Sequence, residues 1–76
     1  MDHRDVELQV FCHNIRTLRA RNHLTQKEMA LLLGIGVKSL SMLEHDVIPT
    51  KLKVDVLYKV YVHFGITPNI QLSIRL

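Results

Sequence analysis

The chain predicts an all-α fold, on three observations. Residues 25–44 read as two short helices around a tight glycine turn. Residues 5–22 carry apolar side chains at helical spacing. Near the C-terminus, Thr67-Pro68 sets a capping residue before a proline at a first helical position.

The first helix is expected from a cap at Asp5 to about Asn22. Leu8, Phe11, Ile15 and Leu18 step by three and four along one stripe, with Cys12 beside it. Glu7, Gln9, His13, Arg16 and Arg21 fall on the far side. Acid near the start and arginine near the end suit the helix dipole. Asn22-His23 is the expected stop.

Thr25 and Glu28 have the spacing of a capping box, in which each side chain takes up the other residue's orphan backbone N–H. Leu24 and Met29 flank it as a hydrophobic staple. Met29, Ala30 and Leu33 form an apolar stripe. Gly34 ends the helix because it tolerates positive φ. Ile35 plugs the gap between the helices, and Ala30 is small where they cross. A further helix starts at about Gly36, with Leu40 and Leu43 facing inward.

His45 to Thr50 form a connection in which Pro49 holds Ile48 extended and forbids a continuing helix. Residues 51–64 are open to two readings. Val54, Leu57, Tyr61 and Phe64, with Val60 beside them, fit a helix face. Val54, Val56, Tyr58, Val60 and Val62 also alternate as in a strand, and so do Ile70, Leu72, Ile74 and Leu76. A β ribbon of 54–62 with 70–76 therefore stands beside the helical reading.

Composition sets the bounds. A chain of 76 residues is expected to be one domain, and one this small gains from dimerisation. Hydrophobic content of 47% excludes a disordered tail. There is no apolar run of membrane-span length and no signal segment, so a cytoplasmic protein is expected. The single Cys12 reads as a buried reduced thiol. A net charge of +3 leans toward a polyanion.

Catalysis finds little support. No glycine-rich phosphate loop is present. Cys12 and His13 are adjacent on a helix and diverge. The five histidines contain no i, i+4 pair, and the carboxylates are scattered. No cofactor, metal or small-molecule substrate is expected.

Thr25-Gln26, Met29-Ala30, Gly34-Ile35 and Leu40-Ser41-Met42-Leu43-Glu44 keep a set of fixed spacings. Together they resemble the helix-turn-helix of the phage-repressor family of bacterial transcriptional regulators, the Cro/C1 or Xre type. The resemblance covers roughly residues 13 to 70. It implies a compact five-helix, lambda-repressor-like DNA-binding domain over 1–76, with the motif at 25–44. It also tips residues 51–64 to a helix ending at Gly65, followed by a short one from about 67 to 73. The Cro-like alternative has three helices and a C-terminal β ribbon.

The resemblance also implies a site on double-stranded DNA. The second helix of the motif enters the major groove. By the family's pattern Val37, Lys38 and Met42 fall at base-reading positions. Lys38 can donate to guanine, whereas Val37 and Met42 can touch only a thymine methyl. Gln26 is expected to bind a phosphate and brace the reading helix, with Lys27, Ser39, Ser41, His45 and Lys51 as phosphate neighbours, and Gly36 stands on the outward side of the reading helix. Arg19 and Glu44 match the family's structural ion pair. Leu31 replaces a residue that is more often charged. Val56, Tyr58 and Val62, off the expected core face of their helix, suggest a partner surface, and a homodimer is expected. The implied function is a sequence-specific transcriptional regulator, with repression favoured over activation. The alternative is an antitoxin-like protein-interaction module that keeps the fold and reads bases weakly.

Overall fold

The computed structural model describes the backbone of residues 3–49 and 52–76, and side chains from Val6 onward. Its order is α1 (His3–Arg21), α2 (Gln26–Leu33), α3 (Val37–Glu44), α4 (Asp55–Phe64) and α5 (Pro68–Ser73). No strand occurs among the described residues. The ribbon left open for 54–62 and 70–76 is not formed, because residues 55–64 and 68–73 are helical. α1 begins before Asp5, which lies inside the helix and does not cap it.

The first three helices end alike. The N–H of Ile35 donates to Ala30 O (3.0 Å) and that of Gly34 to Leu31 O (3.2 Å). At the end of α1, Leu24 donates to Arg19 O and His23 to Ala20 O. At the end of α3, Val47 donates to Met42 O and Asp46 to Leu43 O. This pairing satisfies the last carbonyls and needs one residue in the left-handed region. Gly34 takes it at no cost, with φ 68°. His23 and Asp46 take it at φ 54° and 62°, each at about 1–2 kcal/mol. α2 starts with a full capping box. Glu28 N–H donates to Thr25 Oγ1 (3.1 Å), and Thr25 N–H donates to Glu28 Oε1 (2.8 Å).

The core joins Phe11, Ile15 and Leu18 of α1 to Met29, Ala30 and Leu33 of α2. Leu40 and Leu43 of α3 and Val56 and Val60 of α4 complete it. Leu24 and Ile35 pack on its edge. Cys12 is buried, and burial, ahead of the nearby Asp46 charge and against Arg16, pushes its thiol up to about 11. It stays protonated and is no nucleophile.

The phase of α4 differs from the sequence reading. Val54 is 80% exposed and Tyr61 48%, while Val56 is buried. Helix α4 is apolar around most of its circumference, so periodicity alone does not select a face. Packing against α2 and α5 selects Val56 and Val60, flanked by Leu57 and Phe64. Val54, Tyr58, Tyr61 and Val62 are left as an exposed stripe. α5 follows Gly65, whose φ of 72° ends α4.

Two buried amides fasten the C-terminal segment. Asn14 Nδ2 donates to Gln71 O (2.9 Å) and Ile74 O (2.8 Å), and Asn14 Oδ1 accepts from Leu76 N–H (2.8 Å). Gln71 Nε2 donates to Leu57 O (2.9 Å) and Ile66 O (2.7 Å). A six-residue helix such as α5 is not stable alone. Asn14→Ala is expected to cost about 2–4 kcal/mol in chemical denaturation, because it leaves buried backbone groups unpaired. In hydrogen exchange, amides of α5 should lose protection before those of α2 and α3.

Candidate nucleic-acid interface

α3 has one side in the core and one side out. Leu40 and Leu43 are fully buried. At 3.6 residues per turn, Val37, Lys38, Ser41, Met42 and His45 then share the opposite face. Val37 is 44% exposed, Lys38 and His45 are exposed, and Ser41 and Met42 are half-buried. The His45 ring donates from Nδ1 to Ser41 O (2.7 Å) and closes the helix end. Gly36 caps the start in extended geometry and gives no side-chain bond to the first turn. A Cβ at Gly36 would meet nothing within 4 Å, so packing does not demand a glycine there.

The far end of α3 is held by α1 and α2. Arg19 grips the Glu44 carboxylate with two bonds, Nε to Oε2 (2.5 Å) and Nη2 to Oε1 (3.0 Å). Its Nη1 reaches Leu24 O (3.2 Å), tying in the chain before α2. Gln26 Nε2 donates to Glu44 Oε1 (3.0 Å). Arg16 Nη1 donates to Glu44 O (2.8 Å) and to Asp46 Oδ1 (2.9 Å). The exposed face of α3 is thus left with Lys38 as its full charge, while the Glu44 carboxylate is paired.

The remaining sequence-predicted residues fall in three places. Lys27 is exposed beside Gln26 at the start of α2. Ser39 lies on the flank of α3, in a polar cleft of about 250 Å³ with Lys53, Asp55 and Lys59. Lys51 lies outside the described residues. Sequence reasoning set Arg16 on the solvated side of α1 and missed its hold on α3. It gave no role to Lys59, whose ammonium packs against the motif turn, 2.8 Å from where a Cβ at Gly34 would stand. Nothing local to residue 59 signals this, because it depends on the phase of α4.

Two helices joined by a tight glycine turn, the second open on one face and anchored at its end, form a helix-turn-helix. A family model described as helix-turn-helix matches residues 15–70. The chain belongs to the Cro/C1-type helix-turn-helix family. No curated protein and no solved structure gives a match. The helix-turn-helix family is one of DNA-binding regulators and not one of enzymes. Among the described residues no three of His, Cys, Asp and Glu converge to hold a metal, and no helix is long and apolar enough to cross a membrane.

The helix-turn-helix anchor has a pH signature. Burial alone would raise the Glu44 carboxyl. The hydrogen bonds from Arg19 and Gln26 and the charges of Arg19 and Arg16 outweigh it, holding the group below its ordinary 4.5. A carboxyl depressed in the folded state stabilises fully above its unfolded value, and that stabilisation is lost as pH falls through the folded one. Glu28, depressed by its bonds with Thr25, acts in the same direction. Stability is therefore expected to fall below pH 4.5, more gently in Glu44→Gln, with Glu28 supplying the residual slope. At neutral pH, Arg19→Met should cost about 2–3 kcal/mol, under the fully buried case because Arg19 is 30% exposed against 7% for Glu44. Thermal melts across pH check both.

Proposed function

We propose that this protein is a sequence-reading transcriptional repressor that docks α3 in the major groove of double-stranded DNA as a homodimer. One observation carries the reading. The exposed face of α3 carries Lys38, and the Glu44 carboxylate at the end of the helix is held by Arg19 and Gln26. A groove-entering helix needs that combination: fixed orientation, a donor for guanine and no unpaired negative charge. Gln26 serves as the brace through Glu44, and its remaining side-chain N–H and the backbone N–H groups of Gln26 and Lys27 are offered to a phosphate. Lys27, Ser39, Ser41, His45 and Lys51 supply further backbone contacts. At Gly36, which the fold does not require, the duplex can approach the helix start closely. Repression needs only that the bound protein occlude polymerase.

The homodimer rests on the α4 stripe. Val54, Tyr58, Tyr61 and Val62 are 80, 64, 48 and 55% exposed and recur at helical spacing. An apolar face of this kind marks an interaction surface. Val54 also borders an apolar groove lined by Leu8, Phe11, Leu52, Leu57 and Leu72, which extends the surface onto α1 and α5. A two-fold pair would set two α3 helices about 34 Å apart, one turn of DNA. Substituting Lys at Tyr58 and Val62 is expected to yield a monomer in analytical ultracentrifugation without loss of helix content. A variant that stays dimeric would mean another surface makes the contact.

The test of DNA reading is selection of bound duplexes from a random-sequence pool. A palindromic site should enrich. With six to eight phosphate contacts, affinity should fall on the order of a thousandfold or more between about 50 and 200 mM salt. Lys38→Ala should lose the enrichment. Arg75→Ala, on the exposed C-terminal segment, should keep it. No retention of any duplex at low salt would refute the reading and leave the α4 stripe as the surface of an interaction module.

A further inference from the structure

Lys59 is a half-buried cation that the fold positions but does not pair. It stands on the flank of α4 that faces the motif turn. Measured from where a Cβ at Gly34 would stand, Lys59 Nζ is 2.8 Å away, Cε 3.5 Å and Cδ 3.6 Å. Gly34 therefore serves twice: it takes positive φ, and it leaves room for the end of the lysine. Among the described residues Lys59 forms no hydrogen bond and no ion pair. A brace would close on an acceptor. This ammonium instead lines the polar cleft of about 250 Å³ between α3 and α4.

Lys53 stands in the same cleft, and Asp55, one turn before Lys59 on α4, is the carboxylate there. No ion pair joins Asp55 to either lysine among the described residues. Two ammoniums against one carboxylate leave the cleft one positive charge. The Ser39 hydroxyl adds a donor on the α3 side. Gly36 gives α3 no side-chain cap, so the start of that helix adds to the positive potential. A single excess charge with a donor beside it suits a phosphodiester, which carries one negative charge. A phosphomonoester carries about 1.5 to 2 and is balanced less well.

The cleft lies on the flank of the first turn of α3. When the N-terminal end of a reading helix enters the major groove, its flank meets the groove wall, which is sugar and phosphate. We propose that Lys59 clamps one backbone phosphate of the bound duplex in this cleft, with Lys53 and Ser39 beside it. The proposal rests on the docking of α3 in the groove. It puts α4, which lies outside the motif, on the duplex together with α2 and α3. A contact of this kind fixes the register of α3 without reading a base.

Lys59→Met keeps the stem and removes the charge. Arg75→Met, on the exposed C-terminal segment, removes one charge elsewhere and is the matched control. The probe is the duplex enriched from the random-sequence pool, titrated between about 50 and 200 mM salt. Loss of one phosphate contact lowers the slope of log affinity against log salt by about 0.9. Lys59→Met should bind more weakly at low salt, and its fall across that range should be about three- to fourfold smaller than that of the unaltered protein. Its selected sequence should be the same. Arg75→Met should keep the slope. In thermal melts Lys59→Met should be no less stable, because no bond is lost. An unchanged slope in Lys59→Met would overturn the clamp while groove docking stands, and so would an equal drop in Arg75→Met. A changed selected sequence would overturn it too, by making Lys59 a base contact. Inorganic phosphate should displace the duplex no better than chloride at equal ionic strength. Displacement that Lys59→Met abolishes would make the cleft a site for free phosphate and overturn its assignment to the duplex. No retention of any duplex by the unaltered protein at low salt would refute the docking itself, and with it this inference.

Discussion

The Glu44 carboxylate is the point on which the arrangement depends. It ends α3, and three elements converge on it: α1 through Arg19, the chain before α2 through the same guanidinium at Leu24 O, and α2 through Gln26. Arg16 adds a bond to the main-chain carbonyl of the same residue. α3 is eight residues long and would not persist alone in water. Its core side chains give it attachment but little orientation, since apolar contact is non-directional. The bidentate pair supplies direction. Its geometry is planar and charge-assisted, so rotation of α3 about its axis would break both bonds.

The interior divides into an apolar part and a polar part. The apolar part joins α1 to α4 through large side chains and contains the motif. The polar part is the pair of amides, Asn14 and Gln71, which hold α5 and the C-terminal residues by backbone groups. This division leaves α4 as an intermediate layer. One flank serves the core, another bears Lys59 against the motif turn, and the outer stripe is apolar and uncovered. The exposed face of α3 and the apolar stripe of α4 then fall on separate surfaces of one small fold.

The features legible in the sequence are those written locally. Thr25 and Glu28 are three residues apart, and their capping box needs nothing distant. Gly34 and Gly65 sit at positive φ after apolar helical runs, where no other residue is as comfortable. Asp46 and His23 take the same conformation without being glycine, so only the turn context hinted at them. The face of α4 is legible in part: Leu57, Val60 and Phe64 pack inward as their spacing predicts, whereas Val56 replaces Val54 and Tyr61, because valines and tyrosines surround the helix and only its packing partners break the tie. Asn14 and Gln71 read as ordinary polar residues. Asn14 finds its partners 57 to 62 positions away, a distance no local pattern encodes. The ion-pair partners Arg19 and Glu44 were named through the family resemblance, since spacing along the chain does not imply their meeting. Arg16 has no such precedent, and its place on the polar side of α1 gives no sign of its bonds to Glu44 O and Asp46.

The measurement that bears most directly on the account is residue-by-residue NMR of the isotope-labelled protein titrated with short duplex DNA at low salt. The account predicts that shifts concentrate on Val37, Lys38, Ser41, Met42 and His45 and at the start of α2. The Arg19 side-chain signal should hold its position, because its partner stays bound. Shifts that gather on Val54, Tyr58, Tyr61 and Val62 while α3 stays unchanged would contradict it.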